Sequence, residues 1–384
     1  MNNKKLRIAH ICLASSYTEG MLYQDNILPD VNRDDGHEVL VVSDCTCYVD
    51  GKITKTPAVD KILPNGVRLV RLEFSGKILP ATIRNKLRYA PGLTHILEEY
   101  RPDVILHHSL VGLGLLAVGQ YKKKNPATRL YLDSHADLNN SGQSILSRWL
   151  QYKIFNRYLW GCISKNVDKV LYVSSEACDF LRQMYRIKDE QLEFYPLGGF
   201  VLDEKEKAIL RTQVREELSI PDGDIVFIHT GKMNNLKRTL EVMESFGEQK
   251  NENYHLLLAG VFENEIKETA ERILKEDARI KYLGWQSGKS LINYLAASDC
   301  YLQPGSQSAT LQAAICCGLP VVVYPYPSHV LYLNGNGLFV SDRNSLMDAM
   351  RRFNDKKYIE KLSDASKRIG RNLLDYRILA KRIY

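Results

Sequence analysis

Short apolar runs alternate along the chain with longer stretches whose apolar residues recur every three or four positions, the pattern of βαβ units on a parallel sheet. "LRIAHICLA" predicts a strand, "GMLYQDNILPDVNRDDGH" a helix containing Pro29, and "EVLVVSD" the next strand. "VRLVRLEF" predicts a further strand, "TIRNKLRYAPGLTHILEEY" two helical pieces divided near Pro91, "DVILHH" a strand and "LGLLAVGQYKKKN" a helix. "RLYLDSHAD" and "KVLYVSS" are strands either side of a long helical stretch, and the series ends near "QLEFYPLGGF". From residue 203 the charged segment "LDEKEKAILRTQVREELSIPDGD" predicts a linker and an exposed helix. A second series then runs through "IVFIHTGK", "YHLLLAGV", "IKYLGW", "CYLQPG" and "LPVVVYP", and "LLDYRILAKRIY" predicts a terminal helix. The order predicts an α/β protein of two Rossmann-like domains facing across a cleft, residues 1–202 and 203–365. Strand C-terminal ends and helix N-termini would line the ligand site.

Composition narrows the partners. At 384 residues each half is long enough for its own core. The net charge of +7, from 52 basic and 45 acidic residues, is too small to point to nucleic acid; it suits a phosphate-bearing ligand or an anionic membrane surface. The eight cysteines form no C-x-x-C pair and no zinc-type spacing, so they are expected as buried thiols of a reducing cytoplasm, with no metal site. The basic-then-apolar opening "MNNKKLRIAHICLASS" is too short and too interrupted by His10 for a signal peptide, and reads as the first strand. Residues 104–121 carry two His, Ser and Gln, which argues against a membrane span.

Four stretches carry candidate chemistry. In "HTGKMNNLKRTLEVMESF", residues 229–246, Gly231 permits a sharp turn and Lys232, Lys237 and Arg238 crowd the start of a helix. Cations there oppose the helix dipole unless an anion joins them, so a bound diphosphate and a solvated basic loop are the two readings. No P-loop or dinucleotide fingerprint occurs at this loop. Residues 300–341 contain no Asp, Glu, Lys or Arg. "GLPVVVYP" accounts for part of this as a strand covered on both faces. The polar set Gln303, Ser306, Gln307, Ser308, Thr310 and Gln312, with small Ala309 among them, is more than a core needs and offers donors to a phosphate. His135 ends a strand between Asp133 and Asp137, with Asn139 and Asn140 following, either as part of a polar cluster at the end where ligands bind or as a polar strand cap, while at least one of His107 and His108 is expected to pack in the core. Residues 146–161 interleave aromatic and basic side chains, and residues 77–88 are also basic. The first suits a membrane interface, or alternatively a core helix with snorkelling cations, and the second is a further basic candidate for the same membrane surface.

The order "TGK…KR", "LLLAG", "IKYLGW", "ASDCYLQPG", "AAICCGLPVVV" resembles the C-terminal half of the GT-B glycosyltransferases, in particular the retaining group-1 (family 4) enzymes that use nucleotide-sugar donors. "LRIAHICLASSYTEGMLYQ", "GHEVLVVS", "RPDVILHH" and "YPLGGF" resemble their N-terminal half. The resemblance implies a retaining, metal-independent glycosyltransferase of hexosyltransferase type. It would move a sugar from a nucleotide diphosphate sugar to a glycan or lipid-linked glycan in surface polysaccharide biosynthesis, in the cytoplasm or at the inner face of the membrane. It implies that Lys232 with Lys237 or Arg238 holds the diphosphate, that Gly20 lies in the loop facing it, and that Gly284 and Trp285 flank the base. His135 would touch the donor sugar near its anomeric carbon, with Asp137 second, and a helix from about 366 to 384 would cross back to the first domain. One departure stands out: the family's two Glu residues, eight apart, fall at Gly305 and Ala313. Gln307, Ser308 and Gln312 are then the neutral replacements, at about half the strength of a charge-assisted bond each. Two other readings remain open: a nucleotide-sugar epimerase of the same fold, and a catalytically silent GT-B binding protein, which the missing carboxylates favour.

Overall fold

The structure, a computed structural model, describes residues 5–49, 52–76, 78–286 and 288–384, so Lys77 of the basic stretch lies outside it. The chain divides into two compact units, Met1–Pro196 with Leu379–Tyr384, and Leu197–Ile378. The division falls earlier than residue 202, and the return later than 366. The cause is local pairing: Gly199 donates its N–H to Leu374 O and accepts from Tyr376 N–H, both at 3.0 Å, while Gly370 packs against the backbone of Cys316. These contacts keep the segment up to Ile378 with the second unit.

The first unit contains β1 (Arg7–Cys12), β2 (Glu38–Asp44), β3 (Thr46–Val49), β4 (Lys52–Lys55), β5 (Val59–Ile62), β6 (Arg68–Leu72), β7 (Val104–His107), β8 (Arg129–Ser134), β9 (Lys169–Tyr172) and β10 (Leu192–Phe194). Eight of them form one sheet in the order β10-β9-β8-β7-β1-β2-β6-β5, parallel except for β5, while β3 and β4 pair as a separate hairpin. The apolar runs of β1, β2 and β7 are buried almost without break, as strands covered on both faces must be. Residues 147–156 form a π-helix that continues as the α-helix Arg157–Ile163. Its Tyr152, Leu159, Trp160 and Ile163 enter the core beside Phe180 and Tyr185, whereas Trp149, Leu150, Ile154 and Tyr158 are exposed. The helix Ala81–Leu87 buries no residue at all.

The second unit contains β11 (Ile225–Met233), β12 (Tyr254–Phe262), β13 (Ile280–Gly284), β14 (Cys300–Gln303), β15 (Val321–Val323) and β16 (Gly337–Phe339), all parallel in the order β13-β12-β11-β14-β15-β16. The charged helix expected to be exposed, Glu204–Glu217, is anchored through Arg211, which donates to Asp299 Oδ1 at 2.8 Å and to Ala297 O, and through Arg215. Arg215 is buried and donates to Asp299 Oδ2 at 2.7 Å and to the carbonyls of Ala297, Pro221, Asp222 and Asp224. In both sheets the strand order reverses once, between β1 and β7 and between β11 and β14, and the loops at such switch points are where open parallel sheets bind ligands.

Candidate active site

At the switch point of the second unit, the loop after β11 lies against the loop after β14. Gly305 makes this approach possible: a Cβ there would sit 2.4 Å from Leu236 O and 2.5 Å from Lys237 C. A side chain does not fit at 305 in this conformation, so the packing of the two loops requires glycine there, at the first of the two positions where the resemblance would set a Glu. At the second position, Ala313, the backbone of Gly199 packs so closely that a Cβ on it would stand 3.1 Å from Ala313 Cα.

The three cations of the loop are in different states. Lys232 is exposed, and its ammonium has no hydrogen-bond partner among the described residues. Lys237 is buried, with Nζ donating to Ser306 O at 2.8 Å and Gln307 O at 2.5 Å; burial away from any carboxylate pulls its pKa down to about 8. Arg238, in the left-handed region at φ 57°, forks onto Glu241 at 2.8 and 2.6 Å and donates to Pro304 O and Ser341 O. It ties the loop together internally and offers no free charge. Its partner Glu241 was legible as the i,i+3 residue on the helix but went unremarked.

Behind the loop runs a buried polar chain. Thr230 Oγ1 meets Tyr301 OH at 3.2 Å, Tyr301 OH donates to Gln303 Oε1 at 3.0 Å, and Gln303 Nε2 donates to Ser306 O at 2.8 Å. Gln303 is therefore a core residue with a structural reason to be polar. His229, neutral because burial lowers its pKa to about 4, braces Leu302 O and Thr239 Oγ1. Gln307 Nε2 donates to Ser328 Oγ at 2.6 Å, and Ser308 Oγ accepts from Thr310 N–H at the start of the seven-residue helix Thr310–Cys316, with Ala309 exposed before it. Gln312 is buried with Oε1 unpaired. Gly284, at φ 65°, turns the chain out of β13 and leaves Trp285 largely exposed. The expected absence of a D-x-D triplet, a ground for metal independence, is wrong: Asp222-Gly223-Asp224 is one, and it precedes β11, at the end opposite Lys232. There Asp224 Oδ2 is bound to His255 Nε2 at 2.8 Å.

In the first unit the switch point holds a histidine cluster. Asn32 Oδ1 is 2.8 Å from His10 Nε2, His10 Nδ1 is 3.0 Å from His108 Nε2, and His108 Nδ1 is 2.6 Å from Asp133 Oδ2. His135, half-exposed, places Nε2 3.9 Å from the same Asp133 oxygen. His107 is the packed core histidine, its Nδ1 on Ser109 O at 2.8 Å. Asp137 serves a turn: its Oδ1 accepts from the N–H groups of Asn139 and Asn140 at 2.7 and 2.9 Å. Gly20 lies in an exposed turn at φ 79°.

Two mainly parallel sheets of this order, each with polar groups gathered at its switch point, define a protein of two Rossmann-like units. Residues 211–372 match the family described as glycosyl transferases group 1, and residues 33–198 match glycosyltransferase family 4. The chain is a glycosyltransferase of the GT-B fold, built from these two family segments. It is similar in fold to HepE of Anabaena (TM-score 0.69, 13% identity, 98% of each chain covered) and to sucrose-phosphate synthase of Thermosynechococcus elongatus (0.67, 16%, 98% of this chain and 97% of that). It is also similar to WaaG, a glycosyltransferase of lipopolysaccharide biosynthesis (0.63, 14%, 98% of each chain). No curated protein matches it by sequence.

Proposed function

We propose that the protein transfers a sugar, with retention and without a metal ion, from a nucleotide diphosphate sugar to a glycan or lipid-linked glycan in surface polysaccharide biosynthesis. The observation that carries the donor assignment is Lys232, a cation without a partner among the described residues at the switch point of the second sheet. As the bond from the anomeric carbon to the diphosphate oxygen breaks, the leaving oxygen gains negative charge that Lys232 is placed to meet. Lys237 joins it by exchanging the carbonyls of Ser306 and Gln307 for phosphate oxygens. The fold relatives support this chemistry, since HepE is described in complex with UDP and with UDP-glucose. His135, polar and half-exposed at the end of β8, is assigned to the donor sugar. The acceptor would be met at an anionic membrane surface, held by the basic stretches 78–88 and 146–161. Ile78, Ile83, Trp149, Ile154 and Tyr158 are exposed there, and residues 138–167 contain no Asp or Glu but do contain Arg148, Lys153, Arg157 and Lys165.

Calorimetry with UDP, GDP, ADP and dTDP sugars tests the donor site. One of them is expected to bind, and Lys232→Ala to weaken it by about 10- to 100-fold, the worth of one charged hydrogen bond, with the melting temperature unchanged. Unaltered affinity overturns the assignment. A second reading, a silent binding protein, is favoured by Gly305 and Ala313, which leave the second unit without the family's carboxylates. Donor binding with neither transfer to acceptor nor hydrolysis would establish it, and turnover of the donor to an isomer without acceptor would establish an epimerase.

A further inference from the structure

The polar chain beneath His135 runs from Asn32 Oδ1 through His10 Nε2 and Nδ1 and His108 Nε2 and Nδ1 to Asp133 Oδ2, with spacings of 2.8, 3.0 and 2.6 Å. When Asn32 Oδ1 accepts from His10 Nε2, His108 Nε2 donates to His10 Nδ1 and His108 Nδ1 to Asp133, so that any charge of the pair lies on His108 and not on His10. Every one of these groups is buried. Burial pulls His10 down to about 3 and works against charge on His108, but Asp133, by charge and by hydrogen bond, raises His108 overall. Burial likewise opposes the charge on Asp133, and His108 outweighs it, with smaller help from His135 and His107. The titratable groups around the cluster are His10 on β1, Asp25 on the helix Gln24–Asp34, His107 and His108 at the end of β7, and Asp133 and His135 at the end of β8.

We propose that Asp133, and not Asp137, is the positioning residue for His135, and that the His108–His10–Asn32 chain behind it fixes Asp133 as a carboxylate aimed at His135 Nε2. Asp133 lies near the end of β8 and His135 follows just beyond it, with Nε2 3.9 Å from Asp133 Oδ2. Asp137 is excluded by its occupation in the turn with Asn139 and Asn140. The arrangement sets a carboxylate 3.9 Å from Nε2 of the half-exposed ring and supplies a counter-charge when that ring is protonated. A single carboxylate thus stands between two imidazoles, His108 buried and His135 half-exposed.

The inference rests on the reading of His135 as the sugar-contacting group, and its test separates the two. Full-length protein labelled with ¹⁵N-histidine is titrated by NMR, the His135 signals being assigned from His135→Gln. In Asp133→Asn the His135 midpoint is expected to fall by about half a unit or more, since the nearest opposite charge is gone. In His108→Gln it is expected to rise, because Asp133 then has His135 as its nearest cationic partner. Asp137→Asn should leave it in place. An unmoved midpoint in Asp133→Asn overturns the proposal. If that variant does not fold, His108→Gln decides, a rise supporting the proposal and any other result overturning it. Wild-type turnover in His135→Ala would instead remove the sugar-contacting role and leave the titration result standing.

Discussion

Replacing Gly305 by alanine puts a methyl group 2.4 Å from Leu236 O, 2.5 Å from Lys237 C and 2.7 Å from Lys237 O. All three are backbone atoms that cannot rotate away, so the loops must part by roughly 1 Å to reach ordinary contact. Parting strains three hydrogen bonds: Ser306 N–H to Leu236 O at 2.8 Å, and Lys237 Nζ to Ser306 O and Gln307 O. At about 1 kcal/mol net for each, the loss is about 3 kcal/mol, similar to the upper range for overpacking. For a unit of this size that lowers the melting temperature by about 6 to 12 °C. Differential scanning calorimetry of Gly305→Ala and Gly305→Glu reads it directly. The glutamate should be the worse of the two, even though it restores the family's residue. A Gly305→Ala protein melting within about 1 °C of wild type would refute the account of loop packing and reopen position 305 to a carboxylate.

Asp299→Ala removes the partner of the buried Arg215 and of Arg211, and should destabilise the second unit by about 3 to 5 kcal/mol; urea unfolding checks this, and adding Arg215→Met should recover part of the loss. Lys237 has a folded pKa near 8 against 10.5 when unfolded, so between these values the unfolded chain holds the extra proton and stability rises with pH. Wild type should therefore gain more than Lys237→Met between about pH 7.5 and pH 9.5 in urea titrations, and equal gains would contradict the burial of its charge. Arg238→Ala should lower the melting temperature, in contrast to Lys232→Ala, since Arg238 holds Glu241, Pro304 and Ser341. Vesicles containing phosphatidylglycerol should bind the protein and blue-shift its tryptophan emission, less so in high salt and less for Trp149→Ser; equal binding to neutral vesicles would refute the electrostatic part.

What the sequence disclosed depended on the source of each feature. Strands such as "AHIC", "VLVV" and "HLLLAG" were readable because burial on both faces writes itself as an apolar run. The hairpin β3–β4 and strand β5 were not, because short, largely exposed strands are specified by their partners. The stretch 147–156 read as helical, but its π form leaves no mark in a pattern read at three- and four-residue spacing. In the candidate site, Lys232 and His135 stood out as polar residues at strand ends. Arg238 and Gln303 looked equally available, and only coordinates reveal that Glu241 and Tyr301 already occupy them. The His10–His108 contact spans 98 positions and exists because β1 lies beside β7, which chain order does not disclose. Asp133 and His135 are two positions apart in the sequence, but their 3.9 Å approach is set by the turn of the chain after β8, which no periodicity records.

The six residues that return to the first unit impose an order on biosynthesis. Leu379, Ala380 and Ile383 are fully buried there, Tyr195 OH donates to Leu379 O at 2.8 Å, and Arg382 holds Glu193 and Phe194 O. The half made first on the ribosome is thus finished last: it must wait for the whole second unit, about 10 to 40 s of elongation, before the piece that closes its core emerges. During that interval the apolar surface that Leu379, Ala380 and Ile383 cover in the finished chain is left without its cover.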